Sequence, residues 1–175
     1  MSACKSMLAI AAAVAMWVTF QPGTVSAQNS GVGGDHSTVL MWRGTNYNIS
    51  LWKLDANLNF VTNHVYGPYA GWIPIAITTD VNDFTYVLWR YTDGTISLWL
   101  VDPNLNFVNN HLYGPYPGWI AKGLSVDTGS SPNFRVIWRY TDGSVSIWTV
   151  NGALQFLFNH IYGPYFGWDP GYTTE

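Results

Sequence analysis

The fold is decided by the stretch LWRYTDGTISLWLVDPNLNFVNNHLYGPYPGW, residues 88–119, because it is one of three similar copies in the chain. The first copy is MWRGTNYNISLWKLDANLNFVTNHVYGPYAGW, residues 41–72, and the third is IWRYTDGSVSIWTVNGALQFLFNHIYGPYFGW, residues 137–168. In every copy the two leading tryptophans are ten residues apart, a histidine follows the second by twelve, and the closing tryptophan follows the histidine by eight. This fixed spacing predicts an architecture of equivalent, stacked units.

Each unit is expected to form four short β-strands, A to D, because it shows neither helical periodicity nor helix caps. For the third unit we predict A at Ile120–Asp127, B at Phe134–Tyr140, C at Val145–Val150 and D at about Phe156–Tyr162. An Asp-Gly pair between B and C predicts a hairpin, since glycine adopts a positive φ at low cost. The longer connection YGPYxGW leads from D to the next A.

The strands are apolar on both faces. Val87, Trp89 and Tyr91 point to one side of a B strand, while Tyr86 and Leu88 point to the other. A strand with one solvated face would alternate apolar and polar residues. We therefore expect small sheets that are covered on both sides, as in the stacked blades of a β-propeller.

The repeat is permuted by one strand. The first copy begins at strand B, Thr38–Trp42, and the tail after Trp168 aligns with the A strand that follows Trp72. The C-terminal strand is therefore expected to supply the A strand of the first unit and close the array. Two closures fit three four-stranded antiparallel repeats: propeller blades, with a homodimer completing a six-bladed ring, or a monomeric β-trefoil. We favour blades, because the strands are apolar on both faces and each unit has a single long connection. A dimer would then be needed, since three blades alone would curve too sharply.

The N-terminus is typical of a secretory signal peptide. Lys5 precedes the apolar run Met7–Phe20, and small residues at Val25–Ala27 predict cleavage after residue 27. We expect a secreted or periplasmic protein with a flexible segment at 28–37. A single β domain would follow at 38–175, with copies at about 38–80, 81–127 and 128–175.

Composition excludes several classes of function. The only cysteine is Cys4 in the predicted signal, so the mature chain has no disulfide, cysteine nucleophile or cysteine-ligated zinc. Removing Lys5 with the signal leaves six basic and ten acidic residues, which does not suit a nucleic-acid partner. Outside the signal we expect no membrane span, and we expect no metal and no cofactor.

The motifs WRYTDGxxSxW and NHxYGPYxGW resemble a repeat of exported, uncharacterised bacterial proteins that are similar to β-propeller modules. This resemblance covers nearly all of residues 38–175. In unit length and hairpin the repeat is also similar to the blades of propeller lectins, such as the tectonin/tachylectin group and small fucose-binding lectins. The resemblance implies a propeller-type lectin fold, and no sugar-binding motif of those lectins can be placed on this chain residue by residue.

Two sets of side chains are candidates for ligand binding, because an aromatic ring covers the apolar face of a sugar while polar groups pair with its hydroxyls. The first set lies at the B–C hairpin of the second and third copies: Trp89, Arg90, Tyr91, Asp93, Trp138, Arg139, Tyr140 and Asp142. The second set lies around the YGPYxGW connection: Tyr113, Tyr116, Trp119, Tyr162, Tyr165 and Trp168. The competing interpretation is that these rings only pack the repeat.

A difference between the copies separates the two sets. The first copy has Gly44 where the others have tyrosine, and Asn46 where they have aspartate. A hairpin site should therefore be weak or silent in the first copy, whereas a site on the connection should work in all three.

Other constellations favour structural roles. His64, His111 and His160 simply follow the repeat, and no carboxylate recurs beside them to orient a metal ligand. Asp55-x-Asn57-x-Asn59 lacks the glycine and distal glutamate of a calcium loop, so we interpret it as a β-turn. No serine triad or glycosidase carboxylate pair interrupts the repeat.

The sequence thus predicts a multivalent, carbohydrate-binding module without catalytic activity, with an extracellular glycan as its partner. The alternative is a structural or protein-interaction repeat protein of the cell envelope. An enzyme is the third and weakest hypothesis.

Overall fold

The computed structural model describes residues 27–28, 37–127, 129 and 132–171. These residues form twelve β-strands: β1 Ala27–Gln28, β2 Thr38–Arg43, β3 Ile49–Leu54, β4 Phe60–Tyr66, β5 Trp72–Thr79, β6 Thr85–Tyr91, β7 Ile96–Val101, β8 Phe107–Tyr113, β9 Trp119–Val126, β10 Asn133–Tyr140, β11 Val145–Asn151 and β12 Phe156–Tyr162. No helix long and apolar enough to cross a membrane occurs within them.

The strands form three separate antiparallel sheets, which we call blades one to three. Blade one is β2–β3–β4, blade two is β5–β6–β7–β8 and blade three is β9–β10–β11–β12. All four strands of blade three lie within one residue of their predicted bounds. The prediction of an all-β fold of repeated blade-like units is confirmed. These residues do not form a β-trefoil, because their strands make three side-by-side sheets and not a closed barrel.

Blade one is the exception, with three strands among the described residues. The short strand β1 pairs in parallel with β5 of blade two and does not complete blade one. Beyond blade three, the Asp169 carboxylate lies 2.9 Å from the Lys122 ammonium on β9, so the chain there runs beside β9. Residues 172–175, which would contain most of the predicted closing strand, lie outside the described residues, and closure stays a prediction.

The predicted signal peptide also lies outside the described residues, apart from Ala27 in β1. The predicted flexible segment 28–37 is described only at Gln28 and Ser37.

Strand β6 shows why both faces of these strands are apolar. Val87 and Trp89 belong to the core between blades one and two. Tyr86 and Leu88, which alternate with them, belong to the core between blades two and three. Because successive side chains of a strand point to opposite faces, the middle blade is covered on both sides. The prediction of two covered faces is therefore confirmed for blade two.

The turn between strands C and D has the same construction in every blade. In blade two, Asp102 Oδ1 accepts the backbone N–H groups of Asn104 at 2.9 Å and of Asn106 at 2.7 Å. Leu105 then takes a φ of 63°, and its counterparts are Leu58 in blade one and Leu154 in blade three. The interpretation of the Asp-x-Asn-x-Asn motif as a turn is confirmed. This turn also presents the backbone carbonyl of Leu105 to the preceding blade.

These turn hydrogen bonds lower the pKa of Asp102, mainly through the backbone N–H of Asn106, and that of Asp55 through Asn59. A carboxylate with a lowered folded-state pKa stabilises the protein above its ordinary value of 3.8 and loses that contribution as the pH falls through the folded pKa. Stability should therefore decline in acid, and a D55N/D102N variant should show a shallower decline in urea titrations between pH 5 and pH 2.

Blade three supplies the control for this prediction, because Asn151 already performs the same role there and accepts the N–H of Gln155 at 2.9 Å. The Asp→Asn variant should consequently fold normally at neutral pH, and N151D should steepen the acid decline. Identical pH slopes in all three proteins would contradict the assignment.

Candidate functional site

Tyrosines at the ends of the outer strands join each blade to the next. The hydroxyl of Tyr66, at the end of β4, donates to the backbone carbonyl of Leu105 in blade two at 2.6 Å. The hydroxyl of Tyr113, at the end of β8, donates to the carbonyl of Leu154 in blade three at 2.5 Å. Burial raises the pKa of Tyr66 to about 12 and also raises that of Tyr113. Both phenols are therefore neutral donors at physiological pH.

A second tyrosine, from the YGPYxGW connection, fits edge-on against the tryptophans of the following blade. Tyr116 lies 5.6 Å from Trp138 and 5.2 Å from Trp148 between ring centroids, with interplanar angles of 89° and 80°. Tyr69 contacts Trp89 and Trp99 of blade two in the same way. Edge-to-face contact is a favoured geometry for aromatic pairs. The interface between blades is thus built twice from equivalent groups.

A cavity of about 170 Å³ opens at the interface between blades two and three. Its lining is mainly aromatic and includes one polar pair on β11 and β12; the residues are Tyr116, Trp119, Trp138, Ser146, Trp148, Asn159 and Ile161. Trp119 is half-buried and packs on Tyr140, with ring centroids 5.0 Å apart. The connection thus supplies one wall of the cavity and the strands of the next blade supply the other.

The polar pair recurs in all three blades. Asn159 Nδ2 donates to Ser146 Oγ at 3.1 Å, and Asn110 donates to Ser97 at 3.2 Å in blade two. The corresponding distance from Asn63 to Ser50 in blade one is 3.4 Å. An amide and a hydroxyl retain further donor and acceptor capacity after this one bond. The cavity between blades two and three therefore offers hydrogen-bonding groups next to aromatic faces.

The structure brings some residues of the two predicted ligand-binding sets together and separates the others. Tyr116, Trp119 and Trp138 meet in the cavity, although Trp138 itself is buried. Asp93 and Asp142 each accept a backbone N–H of their own hairpin, which lowers the pKa of both carboxyls. Those two aspartates are thus engaged in their turns.

The remaining hairpin residues make contacts that hold the scaffold. Tyr91 packs on Trp72, as Tyr140 packs on Trp119. Arg139 Nε donates to the carbonyl of Trp168 at 3.0 Å. Arg90 and the buried Trp89 lie at the matching places in blade two.

The third copy of the connection differs from the other two, because no described blade follows it. Tyr162, Tyr165 and Trp168 are exposed, whereas their counterparts in the first two copies are buried or half-buried at the interfaces between blades. Among the described residues, these three predicted residues lie on the exposed end of blade three.

Sequence reasoning missed Ser146, Trp148, Asn159 and Ile161 as parts of the site. A signal was present for three of them, since a serine stands two residues before the second tryptophan and an asparagine precedes the histidine in every copy. The sequence does not show that strands C and D of one blade face the connection of the preceding blade.

A second cavity, of about 440 Å³, lies beside the C–D turn of blade one, and its lining includes Lys53, Asp55 and Asp83. Lys53 Nζ already donates to the carbonyl of Pro103 at 2.9 Å. Within the described part of the chain, no three His, Cys, Asp or Glu side chains come together as metal ligands. The exposed histidines instead lie on neighbouring tyrosines, as His64 does on Tyr66 at 4.4 Å.

Comparison with known proteins adds little. No protein-family model matches the chain, and no curated protein matches it. Among solved structures it is similar to a protein of unknown function from Bacteroides caccae, with 9% sequence identity and a TM-score of 0.43. The match covers 70% of this chain and 41% of that one, so the chain spans less than half the length of that protein. Function must be inferred from the residues of the chain itself.

Proposed function

We propose that the protein is a secreted or periplasmic, lectin-like module that binds extracellular glycan without catalysis. The observation that carries this proposal is the cavity between blades two and three, where Tyr116, Trp119 and Trp148 surround the Ser146–Asn159 pair. Stacking faces beside a few directed polar groups are the chemistry that a sugar ring requires.

The dimensions of the cavity limit the ligand. About 170 Å³ is well below the roughly 300 to 1,000 Å³ of sites that enclose drug-sized molecules. The cavity would therefore hold one sugar ring, with the rest of the glycan in solvent. Binding at one such cavity is weak, and a useful affinity would come from several linked sites.

The repetition of the cavity-lining residues supports the proposal of glycan binding. The residues that line the cavity have counterparts between blades one and two: Tyr69, Trp72, Trp89, Ser97, Trp99, Asn110 and Leu112. The export signal predicted at residues 1–27 and the resemblance to propeller lectins agree with an extracellular ligand. A homodimer belongs to the same proposal, because it would raise the number of linked sites.

The proposal is tested on a glycan array, followed by calorimetry with the sugar selected there. A W72A/W119A variant lacks the equivalent aromatic wall at both interfaces between blades. It should bind the selected sugar at least about tenfold more weakly, because each interface loses a stacking face. F166A is the matched control, since Phe166 is exposed at the position where the first copy has Ala70, and it should bind like the wild type.

Trp119 also packs on Tyr140, so a W72F/W119F variant keeps an aromatic wall and should retain most of the binding. Circular dichroism would verify that all variants are folded. A folded wild-type protein that binds no carbohydrate on the array would refute the lectin proposal.

A second function has its own support. The outer strands β4, β8 and β12 carry exposed apolar side chains along an unpaired edge: Val61, Val65, Val108, Leu112, Leu157, Phe158 and Ile161. Exposed apolar edges of this kind mark contact surfaces. A structural or protein-interaction role in the cell envelope is therefore the alternative, and a negative array with an intact fold would favour it.

A further inference from the structure

The two interfaces between blades divide into a donor side and an acceptor side. The donor side consists of the tyrosine that ends strand D and the tyrosine of the connection; the acceptor side consists of the leucine carbonyl in the C–D turn and the two tryptophans. Blade one donates through Tyr66 and Tyr69 to blade two, and blade two donates through Tyr113 and Tyr116 to blade three.

Blade three presents a donor side without an acceptor among the described residues. Tyr162 is 44% exposed and Tyr165 51%, whereas Tyr66, which occupies the place of Tyr162 in the first copy, is 7% exposed. Trp168 is 76% exposed. Among the described residues, these three aromatic side chains thus form an exposed apolar surface at the end of blade three.

Blade one presents the complementary acceptor side. Leu58 is 66% exposed, while its counterparts Leu105 and Leu154 are each 1% exposed beneath the tyrosine of the preceding blade. Trp52 retains the contacts within its own blade, with Trp42 at 5.3 Å and Phe60 at 5.2 Å. The tyrosine contacts that Trp99 and Trp148 receive from the preceding blade are not repeated at Trp52 by any described residue.

We propose that blade three of one chain docks head-to-tail on blade one of a second copy, through the same interface that joins the blades within the chain. Tyr162 donates to the carbonyl of Leu58 of the second copy, and Tyr165 enters edge-on against its Trp52. The partner is a second copy because both halves of this interface are already realised twice within one chain, and each end presents the half that the other lacks.

The path of the chain beyond blade three agrees with this docking. Asp169 is held by Lys122, and the Gly171 carbonyl lies 3.6 Å from the place where a Cβ on Gly123 would stand, so this segment passes along β9. Within the chain, β9 is the first strand of blade three, and it lies beside β5 of blade two in a comparable way. The segment thus lies beside β9, which is where the first strand of a following blade would begin.

Two copies give a closed assembly. A head-to-tail interface makes a ring when the rotation closes and an open filament when it does not. Propellers have about four to eight blades, so one chain with three blades is too small and three chains with nine are too many. Two chains make six blades with two identical junctions.

Each junction would also complete a binding cavity, an extension that rests on the proposed function. Tyr165 and Trp168 of one chain would form one wall, and Ser50, Trp52 and Asn63 of the other would form the opposite wall. The dimer would then carry three glycan sites per chain, whereas an isolated chain would carry one at each of its two interfaces between blades. The first copy has Gly44 in place of Tyr91 and Tyr140, so the junction cavity would be wider beside Trp168.

The assembly is tested without sugar, by light scattering and sedimentation equilibrium on the protein purified after export from cells that express the full chain. The wild type should be a dimer. Y162A/Y165A on the donor side, and separately L58K on the acceptor side, should weaken self-association by at least about a hundredfold. F166A is the control and should remain dimeric.

A mixing experiment tests the head-to-tail arrangement. When Y162A/Y165A and L58K chains are combined, one junction per pair has an intact donor and an intact acceptor, so dimers should reappear. A monomeric wild type, or a dimer that both variants leave unchanged, would overturn the assembly. A dimer with two sugar sites per chain would overturn the junction site alone, and a dimer that binds no sugar would refute the lectin proposal while leaving the assembly intact.

Discussion

Replacing Trp138 with alanine is expected to lower the free energy of unfolding by about 3 to 5 kcal/mol, the usual range for a large buried aromatic side chain. Trp138 is 1% exposed and lies between Tyr116 of the preceding connection and Trp148 of its own blade. Its removal would enlarge a cavity that already exists beside it, and the surrounding rings are held by strands that cannot close the gap.

The measurement is urea unfolding monitored by circular dichroism, with F166A as the reference. Phe166 is 75% exposed, and the first copy has alanine at the same place, so this variant should change stability by less than about 0.5 kcal/mol. If both variants lost similar stability, the assignment of Trp138 to the core between blades two and three would be wrong.

Replacing Gly118 with alanine is expected to cost about 2 to 5 kcal/mol. Gly118 has a φ of 83°, where a side chain costs roughly 1 to 2 kcal/mol. A Cβ at this position would stand 2.4 Å from Cε2 of Tyr140, and displacing a packed ring adds about 1 to 3 kcal/mol. Because Tyr140 packs on Trp119, the variant should also weaken the glycan binding that we propose for the cavity.

Gly167 provides a control that separates the two contributions. It occupies the same place in the third copy with a φ of 79°, but a Cβ there would meet no atom within 4 Å. G167A should therefore show only the cost of the backbone conformation, about 1 to 2 kcal/mol. In thermal and urea unfolding, G118A should have a clearly lower free energy of unfolding than G167A. Equal losses of stability in the two variants would rule out the ring contact.

The sequence was sufficient to predict the strands, because their bounds follow from a pattern that occurs three times. The two covered faces of β6 were also predictable from the run Tyr86–Trp89, since no polar residue interrupts it. Even the calcium-like turn could be assigned correctly, because Phe60 and Phe107 stand where a calcium loop requires glycine.

The site was only partly predictable, because it forms between units and the sequence describes units one at a time. Tyr113 looked like a ligand residue, yet its hydroxyl is bound to the carbonyl of Leu154, a backbone atom that no motif reveals. Asp93 looked like a sugar-binding carboxylate, yet it accepts the N–H of Thr95 in its own hairpin. Pairing across blades depends on which strand faces which connection, and that is a property of the packed fold.

The bond from a tyrosine hydroxyl to a leucine carbonyl gives the row of blades a direction, since blade one donates to blade two and blade two donates to blade three. A gene duplication that inserted one further unit would therefore create a boundary already compatible with both neighbours, without any new complementary mutation. Repeat number in such a chain can change by whole units while every boundary stays the same. Engineered chains with two or four units would keep the chemistry that joins neighbouring blades.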